Sequence, residues 1–166
     1  MNDEHIKSMM ESFVKANPQQ AENVKVHGFI YVRTFDPTTD ETREERLVPN
    51  LLMTKGFNKY LQAVFNAETV SKGTFLAIGT AATGLAASGT ALEAEVDRKG
   101  GTYSHTVDTA QGTVVNTFST GGPWTIVEMG LFDALTVGTM LCRGTFAAVN
   151  KGTADSFEGK YIHSLS

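Results

Sequence analysis

Few side chains in this sequence stand where they could do chemistry, and the best placed are Glu128 and Arg143. Each lies inside a run dense in apolar residues, 124–132 and 140–149. An acid in that setting is either a carboxylate with a raised pKa, suited to proton transfer, or half of an ion pair. Arg143 on the adjoining strand makes the ion pair the expected arrangement, because burying either charge alone is costly. The pair would then fix strand register more than it adds stability. His5, His27, His105 and His163 are scattered, with no two at a short metal-ligand spacing. Three of them fall in expected strands, where a hydrogen-bonded structural role is expected and no metal site. The one cysteine, Cys142, excludes an internal disulfide framework, and within an apolar strand it reads as a small buried hydrophobe rather than a reactive thiol. Residues 79–84 (G-T-A-A-T-G) have the glycine spacing of a phosphate loop, but Leu85 stands where that loop needs lysine. There is no G-x-S-x-G elbow for a nucleophilic serine. No enzyme activity, cofactor or metal is expected.

The elements that position Glu128 and Arg143 form a hairpin candidate around an interruption at residues 133–138. Period-two alternation puts Trp124, Ile126, Glu128, Gly130 and Phe132 on one side of the first strand and Thr125, Val127, Met129 and Leu131 on the other. In the second, Met140, Cys142, Gly144, Phe146 and Ala148 alternate with Leu141, Arg143, Thr145 and Ala147. Both faces carry apolar residues, so the hairpin must be covered twice, by a second sheet or by another protein chain.

The rest of the chain supports a β-rich domain. Its 166 residues are enough for one core, and 16 glycines with many Thr, Ser and Ala residues suit strands and turns. Lys plus Arg is 14 against 18 Asp plus Glu, a net charge of −4 that offers no footprint for nucleic acid or an anionic membrane. No apolar run is long enough to span a bilayer, and the N-terminus lacks the core of a signal peptide. Residues 1–22 read as a separable arm, in which Ile6, Met9, Met10, Phe13 and Val14 form one apolar stripe at helical spacing before Asn17-Pro18. That stripe needs a surface, either its own domain or a neighbouring subunit.

Residues 23–166 then read as the domain. Strands are expected at 24–35, from the charged segment 41–46 into Val48, at 74–80, 102–107, 113–119, in the hairpin and at 156–165. Thr54 is a candidate N-cap for a helix over 55–66, with Phe57, Tyr60, Leu61, Val64 and Phe65 on one face. Thr90 and Glu93 have capping-box spacing, which predicts a helical turn over 91–96, and residues 98–101 read as a turn. Trp124, beside Gly121-Gly122-Pro123, reads as core, with a sugar-stacking platform as the alternative. The expected fold is mainly β: an antiparallel, jelly-roll-like β-sandwich with one packed helix and an N-terminal helical arm.

Several short blocks, in order, resemble a module of virion proteins from tailed bacteriophages. They are F-L-A-I-G-T at 75–80, T-A-L-E-A-E at 90–95, Arg98, I-V-E-M-G-L-F-D at 126–133 and M-L-C-R-G-T-F at 140–146. The match spans about residues 50–165, with Ala81 and Met129 departing from the usual glycine and alanine. The resemblance implies a structural role without catalysis. It implies a capsid decoration (cement) protein that binds the major capsid protein or another virion protein, as a homotrimer, made in the host cytoplasm and located in the particle. A tail, baseplate or fibre-attachment subunit is the alternative, and a host-glycan-binding module a more distant one.

Overall fold

The computed structural model describes residues 3–16, 26–65, 72–107, 109 and 111–165. Helix α1 (Asp3–Ala16) precedes strands β1 (Val26–Phe35), β2 (Thr42–Pro49) and β3 (Leu51–Leu52), then helix α2 (Thr54–Phe65). Strands β4 (Phe75–Gly79), β5 (Glu95–Gly100), β6 (Thr102–His105), β7 (Gln111–Phe118), β8 (Trp124–Phe132), β9 (Met140–Lys151) and β10 (Ser156–Leu165) follow. The strands form two antiparallel sheets. The first has the order β2-β1-β10-β7-β6 and the second β3-β9-β8-β4-β5. The chain passes from one sheet to the other four times, between β2 and β3, β5 and β6, β7 and β8, and β9 and β10. The mainly β, sandwich-like architecture expected from the sequence is the one observed.

Alternation along the strands builds the core between the sheets. Ile30 and Val32 of β1 and Phe157 and Tyr161 of β10 face Leu76 and Ile78 of β4, Met129 and Leu131 of β8, and Phe146 and Val149 of β9. Each fully buried aliphatic or aromatic side chain contributes roughly 1.5–3 kcal/mol relative to exposure, so this layer dominates stability. The odd residues of β1 point the other way. Phe29 and Tyr31 join Ile162 under Ile6 of α1, forming a separate cluster on the outer face of the first sheet.

Three local expectations are corrected. The predicted single phase along 124–132 fails because the register shifts between Ile126 and Glu128, and again between Leu131 and Phe132. The pairing breaks where Val127 of β8 lies against residues 146–148 of β9, which puts Ile126 and Met129 together in the central core and turns Glu128 and Phe132 outwards. The helical turn at 91–96 and the turn at 98–101 are absent; β5 occupies Glu95–Gly100 and pairs with β4. Ladder bonds to β4 outweigh a capping cue that works only locally. Finally, Phe57 N–H donates to Met53 O, which sets Met53 rather than Thr54 at the helix cap. Met53 is wholly buried and anchors α2 to the second sheet. The helix meets β9 through Gly56, where a Cβ would lie 2.2 Å from the Leu141 carbonyl oxygen, and Phe57 of the expected packing face is 45% exposed.

Candidate functional site

Glu128 and Arg143 face each other on the outer surface of the second sheet, and segment 80–94 lies over them. Arg143 donates from Nε and Nη2 to Glu128 Oε2 at 2.8 and 2.7 Å, so the expected pair is present. The other oxygen, Oε1, accepts the backbone N–H groups of Glu93 at 2.8 Å and Ala94 at 3.4 Å. Arg143 also reaches the Gly84 carbonyl through Nη1 and Glu93 Oε1 through Nη2. Glu93 Oε1 in turn accepts the Thr83 N–H and hydroxyl, and these bonds hold its carboxyl below the ordinary range. Gly79 completes the nest, since a Cβ there would stand 2.4 Å from Glu128 Oε1. Glu128 is 0% exposed and Arg143 4%. Four donors saturate a carboxylate that solvent cannot reach, so its chemistry is to hold a segment down.

A second charged contact extends this cover. Arg98 Nε and Nη2 bind both oxygens of Glu95, while Nη1 donates to the Ala134 carbonyl in the β8–β9 turn. Its guanidinium lies 3.5 Å over the Phe132 ring. Beneath, Phe132, Ala77, Leu92, Met140 and Met53 form a small apolar layer. Asp133 pairs with Lys59 of α2 and accepts the Thr139 N–H; burial would raise its carboxyl, but these partners hold it below the usual value. The blocks that carry the resemblance, far apart in sequence, thus converge on one face.

A cavity of about 860 Å³ opens between α2 and the ends of β6, β7, β9 and β10. Leu52, Tyr60, Val114, Leu131, Leu141 and Tyr161 give it an apolar wall. At its inner side Asn50 Nδ2 donates to Tyr161 Oη, which donates to Cys142 Sγ, both at 2.9 Å. Burial pushes the Cys142 thiol up to about 12, so it is not a nucleophile at neutral pH. His163 is stacked on Tyr161, and burial lowers its pKa, which favours the neutral ring. His105 Nε2 donates to the Thr109 carbonyl oxygen, and His5 lies near Glu45; the side chain of His27 is outside the described residues. Among the described residues no three His, Cys, Asp or Glu side chains are grouped to hold a metal ion.

The remaining candidates are placed as follows. Ile6 is 3% exposed against Phe29, Tyr31 and Ile162, and Phe13 meets Phe29 edge-on at 5.8 Å. Of the two surfaces open to this helix, its own first sheet is the one it occupies here. Met9 is half-buried. The side chains of Met10 and Val14, and the whole of residues 17–22, lie outside the described residues. Trp124 is packed against Gly121, where a Cβ would come 2.3 Å from the indole, and Lys151 Nζ lies 5.5 Å from its ring. Lys151 is itself buried, donating to the Gly121 carbonyl at 2.7 Å, and burial lowers its pKa. The indole therefore serves the core, as one partly buried member of it. No residue pattern signals the Lys151 contact, the Asn50–Tyr161–Cys142 chain or the cavity. No family model matches this chain, and no curated protein matches it.

Proposed function

We propose that this chain is a structural component of a tailed-bacteriophage virion, a capsid decoration protein that assembles with copies of itself and binds the shell. The observation that supports the reading is the convergence around Glu128 and Arg143. The blocks resembling virion proteins meet there in a sealed ionic clamp whose atoms are all engaged in holding segment 80–94 to the sheet. A particle component must keep its shape under repeated contact with neighbours, and a clamp of this kind favours one fixed arrangement over many loose ones. The outer faces of both sheets are covered, one by α1 and one by segment 80–94, which leaves loops, sheet edges, α2 and the exposed side of α1 to meet partners.

The test is location. Gold-labelled antibody against the folded chain, applied to intact particles, should decorate the shell at many sites per particle. Label confined to the tail would overturn the decoration role in favour of a tail or baseplate subunit. Absence of the chain from purified particles, read by mass spectrometry, would overturn the virion assignment altogether. A chain lacking residues 1–22 should remain folded and lose shell occupancy; undiminished occupancy would remove the arm from the binding surface.

A further inference from the structure

Four strands stand at the edges of the two sheets, and three carry a device that blocks further pairing. β3 has two residues and leads directly into α2. β5 carries Glu95, Asp97, Arg98 and Lys99. β2 carries Arg43, Glu44, Glu45 and Arg46, and its outer side is bonded to β9: Arg46 Nη2 donates to the Ala148 carbonyl and Glu44 Oε1 accepts the Asn150 N–H. β6 has no such protection among the described residues. Thr102, Tyr103, Ser104 and His105 are all exposed and none is Lys, Arg, Asp or Glu. Their described bonds run only to β7 and to the adjoining turn: the ladder from Thr102–Val115 to His105–Gly112, Ser104 Oγ with Thr113 Oγ1, and His105 Nε2 with the Thr109 carbonyl. Tyr103 and Val107, 58% and 77% exposed, sit at this same edge.

We infer that β6 is an association edge, and that its occupant is β6 of a second copy, running antiparallel across a two-fold axis. A strand edge presents backbone N–H and C=O groups that another strand can satisfy. Charge favours self-pairing here. Residues 101–112 contain a single charged side chain, Asp108, so a two-fold copy brings no like charges face to face along the strand, whereas β2 or β5 would. With the axis at Ser104, that residue stands opposite its own copy and Tyr103 opposite His105 of the other, so both Tyr103 side chains lie on one face. Four residues are too short to hold a pair of subunits alone, given that stable interfaces bury on the order of 1,000 Å² or more. Tyr103 and Val107 of both copies supply the apolar contact. The inference rests on the sheet edges and is independent of where the protein resides.

Sedimentation of the full chain over a range of concentrations should show a species of twice the 17.9 kDa chain mass, or an even multiple of it. Tyr103→Lys places like charges across the axis and should weaken association by roughly tenfold or more. Leu135→Lys, an equally exposed position in the β8–β9 turn, should leave it unchanged. Ser104→Cys should form an inter-chain disulfide on mild oxidation, with Cys142 buried out of reach. A wild-type monomer, association indifferent to Tyr103→Lys, or a Ser104→Cys chain that does not cross-link would each overturn the proposal. Virion location has no bearing on any of these readouts.

Discussion

The outer faces of the two sheets are both covered, and the covers differ in kind. On the second sheet, segment 80–94 is tied down by Glu128, Arg143, Glu93 and Thr83 through directional bonds with fixed partners. On the first, α1 rests on Phe29, Tyr31, Leu47 and Ile162 through the apolar contacts of Ile6 and Phe13. Its described ion pair, His5 with Glu45 at 3.5 Å, is largely exposed and so contributes little. Apolar contact is non-directional and tolerates a shifted or exchanged partner, while a sealed ion pair tolerates neither. The first cover is thus replaceable in principle by the same helix of another copy; the second belongs to the fold itself.

The largest effect should come from breaking the clamp. Arg143→Met leaves Glu128 buried without its cation and should cost about 3–5 kcal/mol in urea unfolding. Replacing both, as Glu128→Leu with Arg143→Met, should recover much of that loss, since two apolar groups leave no stranded charge. A double variant no more stable than the single one would show that the backbone bonds from Glu93 and Ala94, rather than the ion pair, carry the clamp. On the other face, Ile6→Ala should cost about 2 kcal/mol, the low end for a buried aliphatic truncation because a surface helix can settle into the gap. It should also raise binding of an apolar dye as Phe29 and Ile162 become accessible. A loss matching that of Arg143→Met would erase the distinction between the covers.

How far each region was legible follows from the same distinction. The hairpin and its ion pair were readable because Glu128 and Arg143 interrupt apolar runs on strands adjacent in sequence. The β-branched and aromatic residues of β1 marked it as a strand, but alternation along β8 could not reveal the break at Val127, since unpaired residues have no sequence mark of their own. The capping-box spacing of Thr90 and Glu93 is a local signal; Glu93 instead bonds Thr83 and Arg143, groups that tertiary folding brings to it. Asn50 and Tyr161 lie 111 residues apart, so the chain that ends on Cys142 had no pattern to announce it. On α2, the aromatic stripe promised a packing face, whereas contact with β9 is made at Gly56, whose value lies in the side chain it lacks.

The smallest expected effect is in acid, and it separates the two covers without a change of sequence. The Thr83 hydroxyl and N–H, aided by Arg143, lower the Glu93 carboxyl below its ordinary 4.5, outweighing the opposite pull of burial. A carboxyl lowered on folding contributes stability that is present above the unfolded value. That contribution is lost as pH falls through the folded one. Segment 80–94 should therefore loosen once pH drops below about 4.5, as Glu93 takes up a proton and releases Thr83. Helix α1, held by Ile6 and Phe13, should be little affected over the same range. Backbone hydrogen exchange at neutral pH and near pH 3, corrected for intrinsic rates, reads both segments in one sample. Thr83→Val keeps the N–H bond and removes the hydroxyl one, so it should shrink the acid response of segment 80–94 alone. If both covers loosen together at low pH, the acid step is global unfolding and the clamp has no separate titration.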